Sequence, residues 1–463
     1  MSSKPLKIRW SMTNPPVLQW KGVHRWTPGK VTADPEEEAL GLPAGTLARL
    51  HEAFGAGLSR FTAWTPQEAG DLSVLQAAGD LFRRGVPVLD EGGQPARPVE
   101  ELEGGYEIGF YDESPAEHLK ELCANAFVII DHNVESHWQL TRQGIRAMVL
   151  PLDEISKSLA TVANLRQQWQ KQGRPPHWVI IGGGIPGDTA GFAAALCQCR
   201  FTLVPTTLLA MADACVGGKT GVNFPPWGKN QLGRFAFPAE VRVYSRWLET
   251  LSPALLRAGA AECFKHAFLC GDMQLGTQIA RALQGGQARD LSPLLHPVIN
   301  VKAEVVARDP AENGERATLN LGHTLAHALE AVSQQNCPDD HILHGDAVSI
   351  GLVFALELSC RVAGLDQGTA AGMIRLLRES SCLLSARELS RRLGVPSLTD
   401  PSLWPAVSGH FAQDKKADGG TSRWILLEKP GKCRRDRDGT WTVPVAEEAL
   451  TAAWQSLLQQ LPA

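Results

Sequence analysis

Between Tyr106 and Thr207, short apolar runs alternate with segments of helical period. "YEIGFYD", "AFVIIDHNV", "IRAMVLPL", "HWVIIGGG" and "RFTLVPTT" read as strands. "SPAEHLKELCAN", "SKSLATVANLRQQWQKQG" and "GDTAGFAAALCQC" read as helices, the first with Ser114 as N-cap and Pro115 in its first turn. Strands alternating with helices predict a mainly parallel sheet covered on both faces. Such a sheet takes ligands at the carboxyl ends of its strands. Beyond about residue 245 the strand signal fades. "SPALLRAGAAECFKHAFLC", "LHPVINVKAEVVARD", "NLGHTLAHALEAVSQQ", "DAVSIGLVFALELSCRVAG" and "QGTAAGMIRLLRES" all carry the helical period. A late hairpin is expected from "TSRWILLEK" and "GTWTVPV", then a closing helix, "EEALTAAWQSLLQQL". The fold class is an α/β domain, residues 104–243, followed by a mostly α-helical domain, residues 244–463.

Residues 1–103 have a different texture, rich in Trp, Pro, Gly and Glu. They hold one amphipathic segment, Leu42–Phe61, and Asp90–Gly105 reads as a linker. They are taken as an N-terminal extension without an assigned role.

Composition narrows the function classes. With 44% hydrophobic and 20% charged residues the balance is globular. A net charge of -4 gives no electropositive surface, so nucleic acid is not expected as a partner. The local basic run Lys432–Gly439 reads as a solvated hairpin. No run approaches the ~18 apolar residues of a membrane span. The N-terminus lacks a signal core. Ten scattered cysteines without a CxxC pair point to a reducing, cytoplasmic compartment.

The chemistry begins where "VIIGGGIPGDTAGF" sets Gly182, Gly183, Gly184 and Gly187 between a buried strand and a helix. Glycines there let the backbone approach a diphosphate, which the helix N-terminus would hold. A tight structural turn is the alternative. Asp131 and Asn133 end an earlier strand, where a ribose hydroxyl could be held. In "PTTLLAMADACVGGKTGVNFPPWGKN", Asp213, Lys219, Lys229 and Asn230 suit a loop that presents ammonium groups to an anion. A solvated surface loop would look the same.

Four of the 13 histidines crowd into Leu319–Asp346. His323 and His327 are four apart and share a helix face. His344 follows a loop, and His341 gains no role. Glu262 and Lys265 are i,i+3 neighbours on another helix. Ionisable groups at core-facing positions are costly unless paired or bound to a metal. Imidazoles and a carboxylate suit a zinc-type ion with one open position. A satisfied polar network between helices is the rival reading.

Five stretches together resemble the 3-dehydroquinate synthase family of sugar phosphate cyclases: "GGGIPGDTAGFAAA", "VPTTLLAMADACVGGKTGVNFPPWGKN", "AGAAECFKHAF", "VKAEVVARDPAENGERATLNLGHTLAHALE" and "HILHGDAVSIGL". The similarity runs in order from about residue 104 to the end. It implies an NAD-binding α/β domain, a helical domain with a divalent metal, and a homodimer. By position, Glu262, His323 and His344 would bind zinc or cobalt. Asp131, Asn133, Glu154, Lys157, Gly182, Gly183, Gly184 and Asp188 would contact NAD, with Thr206 and Thr207 nearby. Asp213, Lys219, Asn230, Lys265, Lys302, Glu312, Arg316, Asn320, His327 and one of Lys415 and Lys416 would surround the substrate. The resemblance thus turns the HxxxH pair into one metal ligand, His323, and one substrate contact, His327. The family substrate is 3-deoxy-D-arabino-heptulosonate 7-phosphate. Its transient oxidation by NAD allows phosphate elimination, after which reduction, ring opening and an intramolecular aldol close the carbocycle. Lys302 and Arg316 match positions associated with the substrate carboxylate, which an arginine can grip through two parallel bonds.

Three departures stand out. The segment before "VPTT" is about two residues short and lacks an Arg-Gly pair whose arginine is associated with the partner subunit's phosphate site. Arg200, Arg25 or Lys30 are candidate replacements. "FPPWGKN" has an extra residue, and Glu315 stands at a position that is usually apolar. These leave room for a sister cyclase of the amino-dehydroquinate, 2-deoxy-scyllo-inosose or valiolone type. Arg316, Asn320 and His327 instead favour a carboxylate substrate. A metal-dependent polyol dehydrogenase fits poorly with the phosphate loops, and a non-catalytic descendant fits poorly with the complete ligand set.

Overall fold

The computed structural model describes residues 6–12, 102–112, 114–223, 230, 232–415 and 422–462, with the backbone alone for 6–12, 102–104, 232 and 412–415. The amphipathic segment Leu42–Phe61, most of the expected linker, Arg25, Lys30, Lys229 and Lys416 lie outside the described residues.

The α/β part alternates as the pattern predicts. In chain order it contains β1 (Leu6–Met12), β2 (Leu102–Tyr111), α1 (Pro115–Cys123), β3 (Phe127–Asp131), α2 (His132–Trp138), β4 (Met148–Leu150), α3 (Leu159–Lys171), β5 (His177–Gly182), α4 (Gly184–Leu196) and β6 (Arg200–Pro205). A π-helical turn (Ala210–Ala214), a small hairpin of β7 (Lys219–Val222) and β8 (Leu232–Phe235), and β9 (Glu240–Tyr244) complete it. The seven-stranded sheet runs β1-β2-β9-β6-β5-β3-β4. All neighbours are parallel except β1 and β2. β3 is buried along its whole length, as a strand covered on both faces should be. Trp178 of β5 is fully buried and meets Phe127 of β3 edge-on, with centroids 4.6 Å apart.

One arrangement differs from the sequence expectation. Residues 6–12 pair antiparallel with β2, Met12 opposite Leu102. They therefore belong to the sheet, and residues 13–101 lie in sequence between two adjacent strands. The end of the expected linker, from Leu102, is already strand.

The helical part comprises α5 (Pro253–Cys270), α6 (Met273–Gln284), α7 (Ser292–Arg308), α8 (His323–Asn336), α9 (His344–Leu358), α10 (Gln367–Glu379), α11 (Ala386–Arg392), α12 (Leu403–Lys415) and α13 (Glu447–Gln460). Ser252 opens α5 by accepting the Leu255 N–H, and Pro253 sits in the first turn. The expected late hairpin forms as β10 (Ser422–Trp424) against β13 (Val443–Val445). A smaller hairpin, β11 (Leu427–Lys429) with β12 (Lys432–Cys433), is nested between them. Trp424, Phe354, Phe411, Trp404 and Trp454 form an aromatic cluster under this lobe.

Two glycines set the helix spacing that makes the site. A Cβ on Gly345 would collide with the Ala258 carbonyl, and one on Gly351 with the Gly322 carbonyl. Helix α9 therefore lies against both α5 and the start of α8, bringing three helices to one point. Among the described residues, no helix is long and apolar enough to cross a membrane.

Candidate active site

Glu262 of α5 is fully buried where α5, α8 and α9 meet. Its Oε1 lies 3.4 Å from His323 Nε2 and 3.5 Å from His344 Nε2. One ligand atom from each of the three residues falls within 4.8 Å of the others. The remaining ring nitrogens are engaged. His323 Nδ1 lies 3.2 Å from the Leu321 carbonyl, and His344 Nδ1 lies 3.2 Å from Glu330 Oε2. Partners of that kind fix the rings and direct Nε2 inward. Neither Glu262 oxygen makes a well-formed hydrogen bond, although the Lys265 ammonium stands beside Oε2. Burial opposes protonation of His344, but Glu262 and Glu330 outweigh it and push its pKa up to about 10. The pocket thus draws positive charge to the spot where the nitrogens converge. Two imidazoles and one carboxylate fit a catalytic zinc-type ion. His327, one turn along α8, has its ring centroid 5.6 Å from that of His323.

Beside this triad is a buried charge cluster. The π-helical turn presents Asp213, and such turns are enriched at functional sites. Asp213 Oδ1 lies 2.8 Å from Lys302 Nζ and 3.4 Å from Lys265 Nζ. Lys302 also donates to the Asp213 carbonyl over 2.6 Å. Burial disfavours ionised Asp213, but the Lys265 and Lys302 ammoniums overcome this and hold it below the usual carboxylate range. Burial acts against Lys265 too, yet Asp213 and Glu262 keep it charged above its ordinary pKa. For Lys302 burial prevails and lowers its pKa. Two ammoniums on one carboxylate therefore differ in how readily they release a proton. His266 is buried and neutral, its pKa lowered to about 3 by desolvation.

The expected cofactor residues gather at the carboxyl ends of three adjacent strands. β3 ends at Asp131, β5 at Gly182, and Thr206 and Thr207 follow β6. Thr206 donates its N–H to the Gly182 carbonyl over 2.9 Å. A Cβ on Gly182 would lie 2.6 Å from Pro186 Cγ, and one on Gly183 would lie 3.2 Å from Thr207 Cγ2. Gly183 caps α4 without a side chain, and Gly182, Gly183, Gly184 and Gly187 line a cleft with residues of β5, β6 and the π turn. An uncapped helix N-terminus of this kind suits an anion. Asp131 also accepts the Asn133 N–H, with Asn133 itself exposed on α2. Glu154 accepts from Asn223 over 2.7 Å. Lys157 is buried and reaches both Asp188, at 2.6 Å, and the Asn230 side-chain oxygen. It thus joins the expected cofactor set to the expected substrate set.

Of the remaining substrate candidates, Lys219, Glu312 and Arg316 have defined partners. Lys219 pairs with Glu312. Arg316 is 1% exposed, a burial that decides its character. Its Nη1 donates to the Pro310 carbonyl over 2.6 Å and its Nη2 to the Gly217 carbonyl over 2.7 Å. Asn320 is exposed at the end of the 3-10 turn Glu315–Asn320. Lys415 ends α12, its side chain outside the description like the whole of Lys416. Arg200 opens β6 opposite His177, at the end of the strand remote from Gly182. Three residues went unnoticed in the sequence: Glu330 behind His344, Tyr106, whose hydroxyl accepts the Gly217 N–H over 3.0 Å, and Asp309 in the turn before Arg316. Glu330 had a legible signal, since it lies seven positions after His323 on the same helix face.

Known proteins place this geometry in a family. Residues 147–258 match the 3-dehydroquinate synthase N-terminal profile, and residues 259–417 the C-terminal profile. A 3-dehydroquinate synthase of Nitrobacter winogradskyi is 40% identical over 331 residues, which is 67% of this chain and 82% of that protein. Among solved structures, 2-epi-5-epi-valiolone synthase from Streptomyces hygroscopicus, with NAD+ and Zn2+ bound, aligns with a TM-score of 0.64 at 22% identity. The alignment covers 77% of this chain and 97% of that one. A 2-deoxy-scyllo-inosose synthase complexed with carbaglucose-6-phosphate, NAD+ and Co2+ aligns at 0.63 and 22%, over 76% and 97% of the two chains. The fold is thus shared with the sister cyclases, and the sequence matches decide among them: the chain belongs to the 3-dehydroquinate synthase family.

Proposed function

We propose that the protein is a 3-dehydroquinate synthase, converting 3-deoxy-D-arabino-heptulosonate 7-phosphate to 3-dehydroquinate and phosphate with NAD and a zinc or cobalt ion. The observation that carries this reading is the junction of the Glu262–His323–His344 triad with the Asp213–Lys265–Lys302 cluster. NAD, once bound, supplies a reversible hydride acceptor, and the ion supplies Lewis acidity.

The residues divide the remaining work. Glu262, His323 and His344 would hold the ion. Asp131, Asn133, Glu154, Lys157, Asp188, Thr206, Thr207 and the Gly182–Gly184 backbone would hold NAD. Lys219 and Asn230 would bind phosphate, and Arg316 with Lys302 the carboxylate. Arg316 has donors left after its two carbonyl bonds. Its buried charge would count for more there than at a surface. Lys265 and Lys302, both held against Asp213, would place two ammonium groups beside the substrate. Glu312, Asn320, His327 and Lys415 or Lys416 would complete the substrate shell. The family resemblance also supports a homodimer, which light scattering tests. Ten free cysteines support a reducing, cytoplasmic setting.

The test is a choice of substrates. Protein loaded with NAD and zinc or cobalt is given the heptulosonate phosphate and, separately, sedoheptulose 7-phosphate, which lacks the carboxylate. Dehydroquinate from the first supports the proposal. Phosphate release from the second alone would reassign the protein to a sister cyclase, and net NADH on glycerol to a polyol dehydrogenase.

A further inference from the structure

We infer that Asp309 is a positioning residue for the anion-binding loop Gly217–Lys219. Asp309 follows α7 and begins the turn that leads to Arg316. Its Oδ1 accepts the Asn313 N–H over 2.9 Å, and its Oδ2 accepts the Gly314 N–H over 2.8 Å and the Arg316 N–H over 2.9 Å. One carboxylate thus gathers three backbone donors and fixes the whole turn. A carboxylate is suited to this, because bonds to an ionised acceptor are stronger than neutral ones.

The turn needs such a fastener. Glu312 sits at φ +60, in the left-handed region that non-glycine residues seldom occupy. In that conformation it pairs with Lys219. Arg316, at the end of the same turn, donates to the Gly217 carbonyl. The turn therefore holds the loop at both ends, at Gly217 by hydrogen bond and at Lys219 by charge. Asp309 holds the turn. The other side-chain ties of the turn among the described residues are the buried bond from Arg316 Nη1 to the Pro310 carbonyl, over 2.6 Å, and the Arg308–Glu315 pair, at 2.8 Å, in which Arg308 is about half exposed. That pair is bidentate, with Arg308 Nε 2.9 Å from Glu315 Oε2, but it lies at the surface, where water and salt screen it, whereas Asp309 binds the backbone of the turn directly. The loop is thus held from the sheet side by Tyr106, which accepts the Gly217 N–H, and from the helical side by the turn that Asp309 fastens.

The inference rests on the proposed function only for its kinetic arm. Asp309→Ala, Asp309→Asn and the control Glu315→Gln are made in the full chain loaded with NAD and zinc. Hydrogen exchange is followed in peptides covering residues 310–316 and 217–222. Inorganic phosphate binding is measured by calorimetry, and KM and kcat with the heptulosonate phosphate. Asp309→Ala should speed exchange in both peptides. It should weaken phosphate and raise KM about tenfold, while kcat falls less than about threefold. Asp309→Asn, which keeps one carbonyl acceptor, should fall between it and the wild type. Zinc content and NAD affinity should not change, and Glu315→Gln should resemble the wild type. Adding Glu312→Gln to Asp309→Ala should cost less than the sum of the two single changes. Faster exchange confined to residues 310–316, with phosphate affinity intact, would overturn the inference. So would joint loss of zinc, NAD and phosphate binding, the mark of a general structural role. A wild-type protein that does not turn over the heptulosonate phosphate would contradict the proposed function and leave the exchange and calorimetry to decide on Asp309.

Discussion

Arg316 donates from Nη2 to the carbonyl of Gly217 over 2.7 Å, tying the helical part of the chain to the loop before β7. Tyr106 holds the same glycine from the sheet side through its N–H. Gly217 is therefore bonded from both halves of the molecule.

That position should tolerate no side chain. Gly217 has φ +107, and a Cβ there would collide with Arg316 Nη2. Gly217→Ala should lower activity at least about tenfold and reduce Tm by several degrees, since steric strain and a displaced buried guanidinium add. Thermal denaturation and steady-state kinetics check both. An active variant of wild-type stability would show that the loop does not need this geometry.

Glu330 should govern metal affinity without touching the metal. It holds His344 Nδ1 at 3.2 Å. Glu330→Ala should weaken zinc binding by roughly 10–100-fold, the usual cost of removing such a partner. Competition against a chromogenic chelator measures this. Unchanged affinity would mean that packing alone orients His344.

Acid should act on His177, far from the site. Burial lowers its pKa, and its Nε2 lies 3.0 Å from Thr202 Oγ1. Above the unfolded value of about 6.5 the ring is neutral in both states and adds no pH dependence. As pH falls below that value the unfolded chain takes the proton first, so stability drops until the folded ring also protonates. His177→Gln should flatten the fall in Tm between about pH 7.5 and pH 5 relative to the wild type. Acid loss of metal is common to both proteins and cancels in the difference. Parallel Tm profiles would contradict the assignment.

Much of this was legible in the chain. The run "HWVIIGGG" combines buried-strand composition with a glycine turn, and the structure ends β5 at Gly182 and begins α4 at Gly184. The spacing of His323 and His327 revealed a shared face, though spacing alone did not separate ligand from neighbour. What was not legible depends on distant pairing. β1 finds its partner only after residue 101, so no local pattern marks it as part of the sheet. Arg316 reads as a group aimed at an anion, whereas two of its nitrogens are bonded to backbone carbonyls. Asp309 looks like an ordinary helix-ending aspartate until its three N–H partners are seen.

In the proposed reaction, oxidation and reduction occur within one turnover on a carboxylate-bearing sugar phosphate. The most direct measurement follows phosphate, dehydroquinate and NADH together in chelator-treated protein resupplied with zinc or cobalt and NAD. One phosphate should be released per dehydroquinate formed, with no net NADH and no reaction before the metal is restored. Phosphate release without dehydroquinate, or NADH accumulating with turnover, would contradict it.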